Sequence, residues 1–449
     1  MKVAFVSQAI DSVLPPFQNS VGACTYGSAC AMGKTSEVIV YGLKETNDGH
    51  SALAQHGVKF RFIPSAATDD LIYRARTKLS RAVKLQPVST SPLLYPNYGL
   101  QVARDLSKEK FDVIHIQHSS QYISVIRKLN PKAKIVLHLH AEWFSQCKPA
   151  QLLRRLKGLD MLTTVSDYAT DQVMRLLPNL GVPCVTHYNG FDPAEFSRER
   201  DYAAVARHGE RRILFAGGVS PHKGIHILID AFKLVAAQAP DVRLNLSGPE
   251  GTYPIEETFD AINDKTLIEE LAPFYTKGGA SFARKLLSPG SAIAPDYIAQ
   301  LKAKLPSELM SKVVFLGKIP RENLVDHYYD TDLFVFPSLF AEGFGLPPVE
   351  AMAAGAPVIG TRSGAIVETI QHGATGLLVE KNDPRALADA ILALLGNTSL
   401  RTQMGRAGRR RALEHFTWDH VTKKMSSSYE ALCSGDLNEK HRAAQPIAL

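Results

Sequence analysis

The chain has 449 residues, 45% of them hydrophobic and 21% charged, an ordinary globular balance in a length too great for one core, so two domains of roughly 200 residues each are expected. Its five cysteines (Cys24, Cys30, Cys147, Cys184, Cys433) form no Cys-x-x-Cys pair, which excludes a zinc ribbon and a disulfide framework and points to thiols in a reducing compartment. The apolar run at residues 1–7 is too short for a signal peptide and no stretch of about 18 apolar residues could span a bilayer, so a cytoplasmic protein is expected.

Lys2 to Ser7 reads as a first strand, and the loop that follows runs through Pro15, Pro16 and Gly22 into an apolar helix. Residues 38–41 and 58–63 supply the next strands. The net charge of +7 is uneven: residues 71–103 hold no acid, while Arg74, Arg76, Lys78, Arg81 and Lys84 are basic. In residues 71–85, Leu71, Ala75, Leu79, Ala82 and Val83 fall at helical spacing. This is either a core-packed helix with a solvated basic face or a helix lying on anionic lipid headgroups at the inner face of a membrane. Nucleic acid is not an expected partner, because only Tyr73 places an aromatic among these cations.

Residues 112–118 and 134–140 are strands running into loops. Alternation puts His138 and His140 on one side, but a His-x-His pair with no third ligand nearby does not make a metal site. Residues 161–166 form another strand, and Ser166 caps the next helix. Residues 185–188 lead into the turn Asn189-Gly190-Phe191-Asp192-Pro193, and the charged run 198–212 reads as a linker.

The second half opens as strand, glycine-rich loop and helix, in Arg212-Ile213-Leu214-Phe215-Ala216-Gly217-Gly218-Val219-Ser220-Pro221-His222-Lys223-Gly224. A lysine at the end of such a loop suits contact with a diphosphate, which the backbone can approach closely. Residues 242–249 form the next strand. Some 60 residues, far more than an α/β unit needs, then precede the strand and turn at 313–319, so residues 252–310 carry a helical insertion suited to a lid or an oligomer contact. Asp332 to Phe336 is a buried parallel strand. Beyond it, Glu342-Gly343-Phe344-Gly345-Leu346 turns into a helix with Pro347 and Pro348 in its first turn and Gly355 at its end. Further α/β alternation, helices over 384–395, 401–416 and 418–432, and a polar tail expected to be disordered complete the chain.

Glu342 and Glu350 bracket that loop, Glu350 being placed in the first turn of the helix. Either alone could be dipole compensation. The whole string EGFGLPPVEAMAAGAPVI, with its Glu-x7-Glu, resembles the signature of the family-4 retaining glycosyltransferases of the GT-B fold. The resemblance implies two facing Rossmann-like, doubly wound α/β domains with a cleft between them. They would span residues 1–200, joined by a crossing helix at about 417–433, and residues 205–412. It also implies transfer of a hexose-type sugar, with retained configuration, from a nucleotide-diphosphate donor to a hydroxyl acceptor. Neither a cofactor nor a metal is called for, and the donor is a UDP- or GDP-sugar.

Carried over residue by residue, Glu350 holds the ribose, and Lys223 with the amides of Gly343, Phe344, Gly345 and Leu346 holds the diphosphate. Gly217 and Gly218 line the same loop, Lys318 and Ile319 border the base, Glu342 accepts from the sugar hydroxyls, His140 meets the sugar, and Gly22 belongs to the first cleft loop. Gly218 stands where the family usually has arginine. The acceptor is a glycan, a lipid-linked glycan or a small metabolite, and a homodimer is compatible with the insertion. The alternative is a non-catalytic sugar-nucleotide-binding partner of the same fold.

Overall fold

The computed structural model describes residues 1–15, 18–44, 52–82, 91, 93–141, 143–203, 209–249, 265–275 and 297–437. They form two compact units, one of Met1–Gly190 joined by residues 418–437 and one of the described residues between 191 and 417.

In the first unit the strands β1 (Lys2–Val6), β2 (Glu37–Lys44), β3 (Ala52–Gln55), β4 (Val58–Pro64), β5 (Val113–Gln117), β6 (Lys134–Leu139), β7 (Met161–Thr164) and β8 (Cys184–Thr186) make one sheet in the order β3-β4-β2-β1-β5-β6-β7-β8. Every recorded pairing is parallel except β3 with β4. Both faces are covered, which is why β1 and β5 read as unbroken buried runs and not as alternating ones. The order reverses between β1 and β5, the place where ligands of such sheets bind.

Helix α1 (Ser20–Met32) follows β1, and α2 (Ala67–Ala82) follows β4. The core-packed reading of α2 is not what its first turns show: Leu71 is 68% exposed, and Ala75 is exposed as well. The reason is Asp69, fully buried, whose carboxylate accepts the N–H groups of Asn97 (3.1 Å) and Tyr98 (2.9 Å) at the start of α3 (Pro96–Leu106). Capping another helix fixes Asp69 inward and turns Leu71 and Arg74 outward. The side chains of residues 77–85 lie outside the described residues.

In the second unit the sheet is parallel throughout, in the order β11-β10-β9-β12-β13-β14, from β9 (Arg211–Ala216), β10 (Val242–Ser247), β11 (Val313–Gly317), β12 (Leu333–Phe336), β13 (Val358–Thr361) and β14 (Gly376–Val379). Here the reversal falls between β9 and β12. The expected linker at 198–212 is corrected, because the chain changes unit after Gly190. Arg200 is 9% exposed and donates to the carbonyls of Tyr328 and Thr331. It thereby satisfies carbonyls at the end of a helix of the second unit.

Helix α4 (Ile225–Gln238) follows β9, and the described parts of the insertion, α5 (Lys265–Tyr275) and α6 (Tyr297–Ala303), lie against its start. Leu271 and Leu301 are fully buried there. Tyr297 supplies a cap that Gly224 lacks: its hydroxyl accepts the N–H of His226 (3.1 Å) and bonds to that residue's Nδ1 (2.9 Å). The rest of the insertion lies outside the described residues, as does the tail from 438 on.

The remaining helices that matter for the site are α7 (Arg321–Asp330), α8 (Leu346–Ala353), α9 (Thr398–His415) and α10 (Trp418–Ser434). The last belongs to the first unit, where a Cβ on Gly27 would come within 2.1 Å of the Trp418 indole. That position has to be glycine for α10 to rest on α1.

Candidate functional site

The loops after β9 and β12 meet at the reversal of the second sheet. Gly217 donates to the Ser247 carbonyl (2.9 Å) and Gly248 to the Gly317 carbonyl (2.8 Å). A Cβ on Gly248, at φ 142, would sit 1.7 Å from the Gly217 oxygen. Backbones therefore pack against backbones at the carboxyl ends of three neighbouring strands. Gly218 differs from these two: a Cβ there would meet nothing within 4 Å.

The two loops are also joined to each other. The His222 carbonyl accepts from Leu339 (3.0 Å) and Phe340 (3.2 Å), and Gly224, at φ 71, lies so near Pro337 that a Cβ would fall 2.1 Å from its oxygen. These contacts set Lys223 beside Glu342. Lys223 Nζ is 2.6 Å from Glu342 Oε1, and the Ser338 hydroxyl donates to the same oxygen at 2.5 Å. Glu342 is 8% exposed. Next door, burial, with the nearby Lys223 charge, pushes the His222 imidazole down to about 3, so it stays neutral at ordinary pH and leaves the cationic role to Lys223.

Gly345, at φ 84, is the N-cap of α8 and makes no side-chain cap. Since Pro347 and Pro348 carry no N–H, the first three positions of the helix offer a single amide, that of Leu346. Gly343 and Leu346 are half-buried, whereas Gly345 is buried and the Phe344 ring packs on Phe416 with centroids 5.6 Å apart. Glu350 lies one turn further on than the sequence reading placed it, as the fifth residue of α8. It is 3% exposed and faces α7, accepting from Arg321 Nη1 (2.7 Å) and the Tyr328 hydroxyl (3.0 Å). Lys318 is exposed and Ile319 half-buried, on the turn from β11 into α7.

In the first unit, His118 has left-handed backbone (φ 60) at the end of β5. Its Nδ1 accepts the N–H of His140 (3.1 Å), and His140 Nε2 donates to Gln117 Oε1 (2.7 Å). Burial, then His118 and His115, hold the His140 imidazole well below its ordinary value; it is neutral, with Nδ1 as its acceptor face. His138 is a core residue bonded to Thr163 (2.8 Å). Gly22 does not present its amide to a ligand: it is buried, and its N–H caps α1 by donating to Asn19 Oδ1 (2.7 Å). A Cβ there would lie 2.0 Å from the Ser12 carbonyl oxygen. Among the described residues no group of three or more His, Cys, Asp or Glu could hold a metal ion.

Residues 50–195 match the family model for Glycosyltransferase Family 4, and residues 298–411 match that for Glycosyl transferases group 1. The chain is a family-4 glycosyltransferase. It is 26% identical over 349 residues to Bacillus subtilis YtcC, described as a glycosyltransferase, across 75% of this chain and 76% of that one. Sucrose-phosphate synthase from Thermosynechococcus elongatus shares the fold with a TM-score of 0.68 at 20% identity, covering 97% and 99% of the two chains. HepE from Anabaena in complex with UDP and glucose does so at 0.64 and 18%, covering 96% and 100%. The glycosyltransferase thus has the two parallel-sheet domains of the GT-B fold.

Three residues that bond to Glu350 or Glu342 lie outside the motifs that the sequence offers. Arg321 and Tyr328 are seven apart, one face of a helix two turns long, which was the available signal for a pair reaching one target. Ser338 carried no signal: it reaches Glu342 because Thr361 donates to its carbonyl (2.6 Å) and fixes the loop.

Proposed function

We propose that this glycosyltransferase moves a hexose from a UDP- or GDP-sugar to a hydroxyl acceptor with retained anomeric configuration and without a metal ion. The observation that carries the reading is the Lys223–Glu342 pair, 2.6 Å apart at the β9/β12 reversal. An ammonium fixed beside a carboxylate suits a diphosphate and the sugar attached to it bound side by side. An ammonium has three donors and only one is turned to Glu342; the others serve the diphosphate, with Leu346, Gly345 and Gly343 amides and the open loop at Gly217 and Gly218. Lone pairs left on Glu342 take hexose hydroxyls, Glu350 takes the ribose, and Lys318 and Ile319 flank the base.

In the reaction the bond from the anomeric carbon to the β-phosphate oxygen breaks as the acceptor oxygen bonds on the same face. The acceptor's proton passes to the departing phosphate. Negative charge grows on that phosphate while the sugar becomes oxocarbenium-like, so a cation fixed there lowers the barrier. The HepE structure was solved with UDP and glucose, which favours uracil for the base. Thermal stabilisation by UDP or GDP, together with release of nucleotide from one matching sugar donor, is the expected result; stabilisation by neither removes the proposal.

Gly218 favours a second reading, a binder that holds the sugar nucleotide without transferring it, because one cation is fewer than usual at the leaving group. The open space there makes the point testable. A Cβ at Gly218 meets nothing within 4 Å, so Gly218→Arg is expected to raise turnover by up to about tenfold if the protein is an enzyme, measured as nucleotide release. Turnover absent in both proteins, with nucleotide binding intact, supports the binder.

The exposed Leu71 and Arg74 of α2, in which Asp69 is buried and Asp70 half-buried, favour contact with anionic lipid. Salt-sensitive co-sedimentation with phosphatidylglycerol vesicles, reduced in Leu71→Asp, is expected; sedimentation indifferent to salt and to the substitution counts against it.

A further inference from the structure

Glu350 receives one donor on each oxygen, Arg321 on Oε1 at 2.7 Å and Tyr328 on Oε2 at 3.0 Å. A carboxylate has about four lone-pair sites, so one on each oxygen stays unfilled, the number that a vicinal diol can fill. Among the described residues, β12 and β13 beside α8 bring no ionisable side chain, and Arg409 of α9 is engaged with the carbonyls of Ala353 and Phe196.

Arg321 is itself gripped from its far side. Its Nε donates to both oxygens of Glu195 at 3.1 and 2.9 Å, and its Nη2 lies 2.7 Å from Glu195 Oε2. Glu350 first, and then Glu195, hold the guanidinium charge above the usual arginine range. A planar guanidinium held bidentately by one carboxylate has a fixed orientation, and its remaining arm then fixes the second carboxylate. The Arg321 side chain is 42% exposed, and it begins the helix directly after the turn that carries Lys318 and Ile319.

We propose that Arg321 is a positioning residue of the nucleotide site: clamped by Glu195, it sets the Glu350 carboxylate so that its two free lone pairs meet the 2′- and 3′-hydroxyls of the ribose. Arg321 thereby makes the enzyme select ribonucleotide over deoxyribonucleotide donors. The inference rests on the reading of Glu350 as the ribose-binding group. It adds that the aim of this carboxylate comes from a residue outside the Glu-x7-Glu string.

The test compares dissociation constants of UDP with 2′-deoxy-UDP, and of GDP with 2′-deoxy-GDP, by titration calorimetry. Wild-type protein is expected to prefer the ribose form of the nucleotide it binds by about tenfold or more, as for a lost hydrogen bond to a charged group. In Arg321→Met that ratio falls below about threefold, chiefly through weaker binding of the ribose form. Arg321→Gln keeps a polar side chain without the two-ended reach, and carries the same test should the methionine variant fold poorly. A wild-type ratio in both variants, with the two affinities falling together, overturns the proposal, since that is what a merely structural role produces. Tighter binding of the ribose form in either variant overturns it too, showing Arg321 to block the site. Wild-type protein that binds UDP or GDP without ribose preference removes the assignment of Glu350 itself.

Discussion

Lys223→Ala is expected to lower kcat by about 10² to 10³-fold, the loss typical when one fixed group at a developing charge is removed. The lysine is held by the carboxylate beside it and by two loops locked backbone to backbone, so it needs no reorganisation as the phosphate takes up charge. Its loss also leaves Glu342, 8% exposed, with Ser338 as its recorded donor. Glu342→Gln/Lys223→Ala separates the two effects: the double variant removes the stranded carboxylate and is expected to regain stability while turnover stays low. Steady-state nucleotide release and thermal melting measure both. Turnover within threefold of wild type in Lys223→Ala would show that the diphosphate is neutralised elsewhere.

Mild acid is expected to destabilise the first unit. Burial pushes His115 and His187 down to about 3 and His118 to about 4, and holds His138 and His140 well below the ordinary value. The groups facing this cluster are one another's imidazoles, Tyr429 of α10, bonded to His115 Nδ1 at 2.6 Å, and Lys424, which lowers His187 further. His115, His118 and His187 stay neutral in the folded chain until the pH approaches 4, and burial holds His138 and His140 neutral well below the ordinary value, while in the unfolded chain all five protonate below about 6.5. Between those limits the unfolded state binds more protons, so stability falls with falling pH, by up to about 1.4 kcal/mol per pH unit for each such histidine. The melting temperature is therefore expected to be nearly level above pH 7 and to drop steeply from pH 6.5 to 4.5. A level profile through that window would mean that these imidazoles are hydrated and protonate in place.

The parts legible in the sequence were those governed by short-range rules. Both parallel sheets follow from the unbroken apolar strands, and the start of α8 follows from Gly345 with Pro347 and Pro348. The partnership of Lys223 with Glu342, 119 residues apart, was approachable only through the motif, because nothing local shows that His222 and Leu339 share a hydrogen bond. Leu71 misled because helical spacing defines a face and not its direction; that was decided by Asp69, which is committed to capping another helix. The use of the Gly22 amide was legible only in part: Asn19, three residues before it, is a capping residue by type, and it takes that amide at the start of α1. The unit boundary was misplaced because Arg200 looks like solvent-facing charge until its carbonyl partners, Tyr328 and Thr331, are in place.

The most direct measurement follows the anomeric proton of the product by NMR when the enzyme is supplied with an α-linked UDP- or GDP-hexose and a hydroxyl acceptor. An α-linked product, formed with stoichiometric release of the nucleoside diphosphate and unaffected by chelator, is the result expected. A β-linked product, or sugar transfer without nucleotide release, would contradict leaving-group departure from the Lys223 loop with attack on the same face.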